Sequence, residues 1–200
     1  MEGYLRQLTY KNQSREQMLT GTGLLHTRES AERRYELIRR RARLSAQRYA
    51  RLRTRRNFKF KAFDVFAFKA VASQWEPRRR RVAWDWAGQF VYWRKKRPTR
   101  WDLAIWLGDE LICLALGYAS RPGKKILYLA GVERIPGDHP DAQFVLPMVI
   151  DATERYARRL GAAEVRILQP HPALEARYAV LGYTYTYDNA KRSTVARREE

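Results

Sequence analysis

Residues 169–187 read Gln-Pro-His-Pro-Ala-Leu-Glu-Ala-Arg-Tyr-Ala-Val-Leu-Gly-Tyr-Thr-Tyr-Thr-Tyr. Pro172 suits the first turn of a helix, and Gly182 stops it. Tyr183–Tyr187 then alternates aromatics with threonines, which is strand periodicity. The chain thus passes from a short helix into a strand through Leu181-Gly182-Tyr183. Such a junction can hold the hydroxyl of Tyr178, near the helix end, over a cleft.

Upstream, Ala163–Leu168 reads as a strand ended by Pro170. Before it, Leu146, Val149, Ile150, Ala152, Tyr156, Ala157 and Leu160 mark one face of a helix that Gly161 stops. Gly137–Ala142 is a loop. Trp101–Trp106, Leu111–Tyr118 and Ile126–Val132 are apolar strands, joined at Gly108-Asp109 and Ser120–Gly123. Asn57–Lys61 alternates as a short strand, and Phe63–Trp75 is an aromatic and alanine-rich helical stretch. Pro77 allows a new helix, entered through Arg78-Arg79-Arg80-Arg81, with Ala83, Trp86, Ala87, Phe90 and Trp93 as its core stripe. The sum is an α/β domain: a mixed, mostly antiparallel central sheet with helices on both faces.

Charge divides the chain. Of 200 residues, 40 are Lys/Arg and 21 Asp/Glu, a formal net charge of +19. Residues 1–56 hold 15 Lys/Arg against 5 Asp/Glu, or +10 of that total. Residues 1–26 are polar and unpatterned, with Gly21-Thr22-Gly23 breaking any helix. From Ala31 to Arg56 helix formers dominate, and Tyr35, Ile38, Ala42, Tyr49 and Leu52 share a face that Ser45 interrupts. Residues 1–56 are therefore expected to be a basic, largely helical arm, and 57–200 the α/β domain. Arginine pairs with phosphate through a planar fork. Arg39, Arg40, Arg41, Arg43 and Arg78–Arg81 (Arg78, Arg79, Arg80, Arg81) are the expected contacts to a polyanion. Nucleic acid or nucleoprotein is the expected partner, otherwise an acidic protein.

Several chemistries are disfavoured. Cys113 is the only cysteine, so no intrachain disulfide or cysteine-rich zinc site can form. His26, His139 and His171 have no ligand spacing, and no metal site is expected. No stretch approaches the ~20 apolar residues of a membrane span, and the N-terminus lacks a signal-peptide pattern. A cytoplasmic location is the default expectation. The oligomeric state is not readable.

The order of elements after residue 56 resembles the GCN5-related N-acetyltransferase (GNAT) superfamily. Tyr178-Ala-Val-Leu-Gly-Tyr183 looks like that family's tyrosine before a Leu-Gly-aromatic turn. Leu127-Tyr-Leu-Ala-Gly-Val-Glu-Arg-Ile-Pro136 looks like its acyl-CoA strand, and Ala152–Ala162 like part of the helix after its pyrophosphate loop. The resemblance implies acetyl-CoA or another acyl-CoA as cofactor, held near Val132, Arg134, Ile135 and Gly137. It implies Glu133 as a base toward the amine and Tyr178 as a donor to the departing thiolate. One departure stands out: the family's Arg/Gln-x-x-Gly-x-Gly/Ala loop is replaced by Gly137-Asp-His-Pro-Asp-Ala-Gln-Phe-Val-Leu-Pro-Met148. Glycines let backbone N–H groups approach phosphate. Here two aspartates and two prolines stand instead. The implied function is an N-acyltransferase acting on or near a nucleic acid or nucleoprotein amine. The alternative is an inactive module of the same fold that binds nucleic acid or an acidic partner through arginines.

Overall fold

The structure is a computed structural model. It describes the backbone of residues 2–80, 82, 84–120, 126–189 and 193–198, with side chains from residue 28 onward except at 193 and 198. The chain divides into two compact units, Met1–Glu36 and Leu37–Glu200. That boundary lies within the expected arm rather than at its end.

Helix α1 runs Glu2–Thr54, so Gly21 and Gly23 do not break it. A glycine inside a helix costs only about 1 kcal/mol, which a long helix absorbs. The second unit contains β1 (Phe58–Lys61), α2 (Val65–Gln74), α3 (Trp86–Lys96), β2 (Arg100–Leu107), β3 (Glu110–Ala119), β4 (Ile126–Arg134), α4 (Ala142–Leu160), β5 (Glu164–Leu168), α5 (Glu175–Val180), β6 (Tyr183–Asp188) and β7 (Ser193–Arg198). The strands form one sheet in the order β1-β2-β3-β4-β5-β7-β6. Among the described strand pairs only β4 and β5 run parallel. Pro77–Arg79 is a 3-10 turn, and α3 starts at Trp86, where Asp85 accepts from the Gly88 N–H. Arg78, Arg79 and Arg80 therefore lie in the α2–α3 connection instead of leading α3. Asp64 caps α2 in the same way, accepting from Ala67 N–H at 2.8 Å.

The expected apolar stripe of α1 is only in part its buried face. Ala42 is buried and Ile38 half-buried, but Tyr49 and Leu52 are exposed. Arg39, Arg43, Ala46 and Ala50 are buried beside Ala42. The reason is a sheet edge. β1 pairs with β2 only from Ala104 to Leu107, which leaves the carbonyls that point to that edge before Ala104 without a strand partner. Arg39 Nη1 donates to Pro98 O at 2.8 Å and to Arg100 O at 3.3 Å, and Arg43 Nη1 donates to Asp102 O at 3.0 Å. One turn on, Gln47 Oε1 accepts from Phe60 N–H at 2.9 Å. Spacing of four residues on the helix thus meets alternate residues along the edge. The alanines between let the helix approach. Ser45, which breaks the apolar stripe, accepts from Arg155 of α4 at 2.9 Å.

Arg39 and Arg43 also face buried Asp102, which lies 3.6–3.7 Å from Arg39 and Arg100 and 3.5 Å from Arg43. Asp102 Oδ2 accepts from Phe63 N–H at 3.0 Å. The assignment of Arg39 and Arg43 to a polyanion is therefore corrected: at 0% and 4% exposure they are spent inside the fold. Arg40 and Arg41 remain exposed.

Candidate active site

β4 and β5 separate in mid-sheet. They pair only over Ile126–Leu129 and Glu164–Ile167. β4 continues to Arg134, while β5 ends at Leu168. The divergence starts at a bulge: Leu116 of β3 faces Gly131 and Gly117 faces Leu129, so Ala130 has no opposite residue. Gly117 lacks the Cβ that would strike the Tyr128 carbonyl across the bulge. Beyond it, Ile135 donates to Ile112 O of the β3 side at 2.8 Å. Backbone groups alternate sides along a strand. Gly131 and Glu133 therefore also face β3, and the N–H groups of Val132 and Arg134 face the side that β5 vacates.

The gap is a cavity of about 810 Å³. Its walls are the second half of β4, the end of β5, the start of α4, α5 and the α2–α3 connection. Val132, Glu133, Arg134, Ile135, Gly137 and Tyr178, all expected at the site, line it together. The Ile135 N–H is used within the sheet. The cleft is open. Its aromatic neighbour, Trp84, lies on the wall, in the space a side chain on Gly131 would occupy.

Glu133 is held by three donors. Arg80 donates from Nε to Oε1 at 2.8 Å and from Nη2 to Oε2 at 2.7 Å, and Trp86 Nε1 donates to Oε2 at 2.7 Å. Arg80 Nη2 also donates to Trp84 O at 3.1 Å. The Glu133 hydrogen bonds raise the Arg80 guanidinium further above its ordinary range, against the effect of burial. Arg80, expected on a polyanion, thus pins the α2–α3 connection to β4. Of the other arginines there, Arg78 and Arg79 are exposed, and Arg81 lies outside the described residues.

Tyr178 is 3% exposed and packs near Tyr183 and Tyr185, with ring centroids at 6.5 and 6.1 Å. Burial pushes its phenol well above the ordinary value, and Tyr185 and Cys113 add to the shift. It stays a neutral donor throughout the physiological range. Cys113 is buried, and burial likewise raises its thiol, which makes it a poor nucleophile.

The two aspartates of the loop before α4 differ: Asp138 is exposed. Asp141 is buried and paired with Arg56 at 3.2 Å. Arg134 Nη1 donates to Ile135 O at 3.0 Å and Gly137 O at 2.7 Å. Gly137 has φ +84°, and the Arg79 guanidinium lies against its Cα. Arg79, Arg134 and Arg177 all line the cavity, as does Asp138. Positive charge near the α4 N-terminus is thus supplied by side chains. The histidines are committed locally. His139 Nδ1 accepts from Asp141 N–H at 3.1 Å, with Nε2 3.1 Å from Glu110. His171 Nδ1 accepts from Ala173 N–H at 3.2 Å.

The fold is that of the GCN5-related N-acetyltransferases. An acetyltransferase from Streptococcus agalactiae superposes with a TM-score of 0.50 at 9% identity, covering 72% of this chain and 98% of that one. The PaiA N-acetyltransferase from Thermoplasma acidophilum, in complex with coenzyme A, gives 0.48 at 10% identity over 72% and 99%. The ribosomal-protein-S18-alanine N-acetyltransferase from Escherichia coli gives 0.46 at 13% over 70% and 90%. No family model and no curated protein matches the sequence.

Sequence reasoning missed Trp84, Trp86 and Arg177. Gly131 was the available signal: a glycine inside an apolar strand marks a bulge or a close approach, and here both occur. Among the described residues no cluster could hold a metal ion, and no helix is long and apolar enough to cross a membrane.

Proposed function

We propose that the chain is an acyl-CoA-dependent N-acyltransferase whose amine acceptor is carried on, or bound beside, a nucleic acid. The observation that carries this reading is the open cleft between the diverging strands β4 and β5, with Tyr178 in its wall. Its volume of about 810 Å³ fits a cofactor-sized ligand. An acyl-CoA supplies a thioester carbonyl open to attack by a neutral amine. The N–H groups of Val132 and Arg134 face the gap as donors for an oxygen there. Arg79 and Arg134, both against Gly137, favour phosphates at the α4 end, where Arg56 already neutralises Asp141. The residues present therefore fit the cofactor without the missing glycines.

The Tyr178 hydroxyl carries the proton available to a leaving thiolate. Glu133 mainly anchors the α2–α3 connection. Proton acceptance there would use the second lone pair of Oε1, the site its three donors leave. Those bonds and the committed histidines favour a second reading, an inactive module that binds nucleic acid or an acidic protein through its arginines.

Tyr178→Phe separates the two. Steady-state acyl transfer should fall about 10²-fold in kcat with little change in KM for the donor. Turnover equal to the parent's would reject the role of Tyr178. No turnover in the parent, on amine-bearing oligonucleotides or polyamines, would favour the inactive module.

A further inference from the structure

Trp84 is a large aromatic side chain left partly exposed in a cavity wall. Its ring takes up the space above Gly131, at the bulge where β4 leaves β5. It packs on Trp86 with ring centroids 5.3 Å apart and an interplanar angle of 35°. Arg80 bonds its carbonyl, and the same guanidinium is fixed by Glu133. Trp84 is thus a flat apolar surface set beside the backbone donors of β4.

Its surroundings are cationic. Arg79, 61% exposed at its side chain, and Arg177 line the same cavity, and exposed Arg78 stands next in the chain. The Arg56–Asp141 pair brings the end of α1 to the start of α4, with exposed Arg51, Arg53 and Arg55 close in sequence. Residues 37–56 hold nine arginines and no acidic residue. A fixed aromatic face flanked by guanidiniums matches single-stranded nucleic acid, whose unpaired bases stack while arginines follow the phosphates. A duplex hides its bases, and an acidic peptide has no use for the ring.

We infer that the cleft mouth binds single-stranded nucleic acid, with one unpaired base stacked on Trp84 and the flanking phosphates on Arg78 and Arg177. This deepens the proposed function by naming its acceptor class, and it rests on that reading for the reaction only. Binding stands or falls separately from turnover and from acetyl-CoA affinity.

The test is fluorescence anisotropy with the full chain. Its probes are labelled single-stranded RNA and DNA decamers, the same sequences as duplexes, and a polyglutamate peptide. Trp84→Leu keeps apolar cover over Gly131 and removes the ring. It should weaken single-strand binding about tenfold or more and leave duplex binding unchanged. Arg177→Ala, at an exposed position, should weaken single-strand binding and lower its salt slope by about 1. If circular dichroism shows Trp84→Leu unfolded, quenching of tryptophan fluorescence by single strands but not duplexes supplies the same evidence in the parent. Equal affinity for single strands and duplexes, polyglutamate binding as tightly as the decamers, or indifference to both substitutions would overturn the inference.

Discussion

Asp102→Asn tests whether the arginines of α1 are structural. The substitution keeps the side chain's shape and an oxygen able to accept from Phe63 N–H; it removes the negative charge and turns the other oxygen into an NH2 donor facing guanidiniums. Around it stand Arg39, Arg43 and Arg100, all within 3.5–3.7 Å of the carboxylate and at 6% side-chain exposure or less. Three buried guanidiniums would then face no carboxylate at that point. Breaking a buried ion pair costs about 3–5 kcal/mol, because the remaining charge stays desolvated. For a chain of this size, each kcal/mol moves Tm by about 2–4 °C, so Tm should fall by about 6–20 °C. Differential scanning calorimetry or thermal circular dichroism reads this directly. Burial limits screening, so the loss should persist when salt is raised. Adding Arg39→Met, which removes one cation and keeps apolar volume, should recover part of it. A Tm within 2 °C of the parent's (about 1 kcal/mol or less) would refute the view that α1 is fastened through these groups.

Three further outcomes follow from the same structure. Removing residues 1–36 takes away six Lys/Arg and five Asp/Glu, so polyanion affinity and its salt slope should hardly change. Removing 1–56 also strips Arg39, Ala42, Arg43, Ala46 and Ala50 from the core, and that protein should fail to give a cooperative melt. At alkaline pH, Tyr178 stays protonated in the folded state above its unfolded value of about 10. Its stabilising contribution is complete below that value and is lost as pH rises beyond it. Chemical denaturation should therefore show stability declining above about pH 10, with a shallower decline in Tyr178→Phe; identical slopes would exclude the assignment.

The sheet and its helices were largely legible because their apolar periods are strong. The Tyr178–Tyr183 junction fixed where α5 meets β6, and Gly161, at φ +69°, ended α4 as expected. What sequence could not show is where arginines go. Arg39 and Arg40 are adjacent and chemically identical, yet one is buried on sheet-edge carbonyls and the other faces solvent. The difference depends on how far β1 extends along β2, a long-range property. Likewise Arg80 reads as one of four equivalent arginines until Glu133, 53 residues away, is placed beside it. In the loop before α4, Asp141 is likewise neutralised by Arg56, just past the end of α1, while Asp138 stays exposed.

The central claim is that the gap between β4 and β5 receives an acyl-CoA despite its altered loop. Isothermal calorimetry of the full chain with acetyl-CoA tests it most directly. The expected result is saturable heat for one site, with Kd inside the about 1 µM–1 mM range common for enzyme substrates, abolished by competing CoA and weakened by Arg79→Ala. Absence of heat, or heat that CoA does not compete away, would contradict the account.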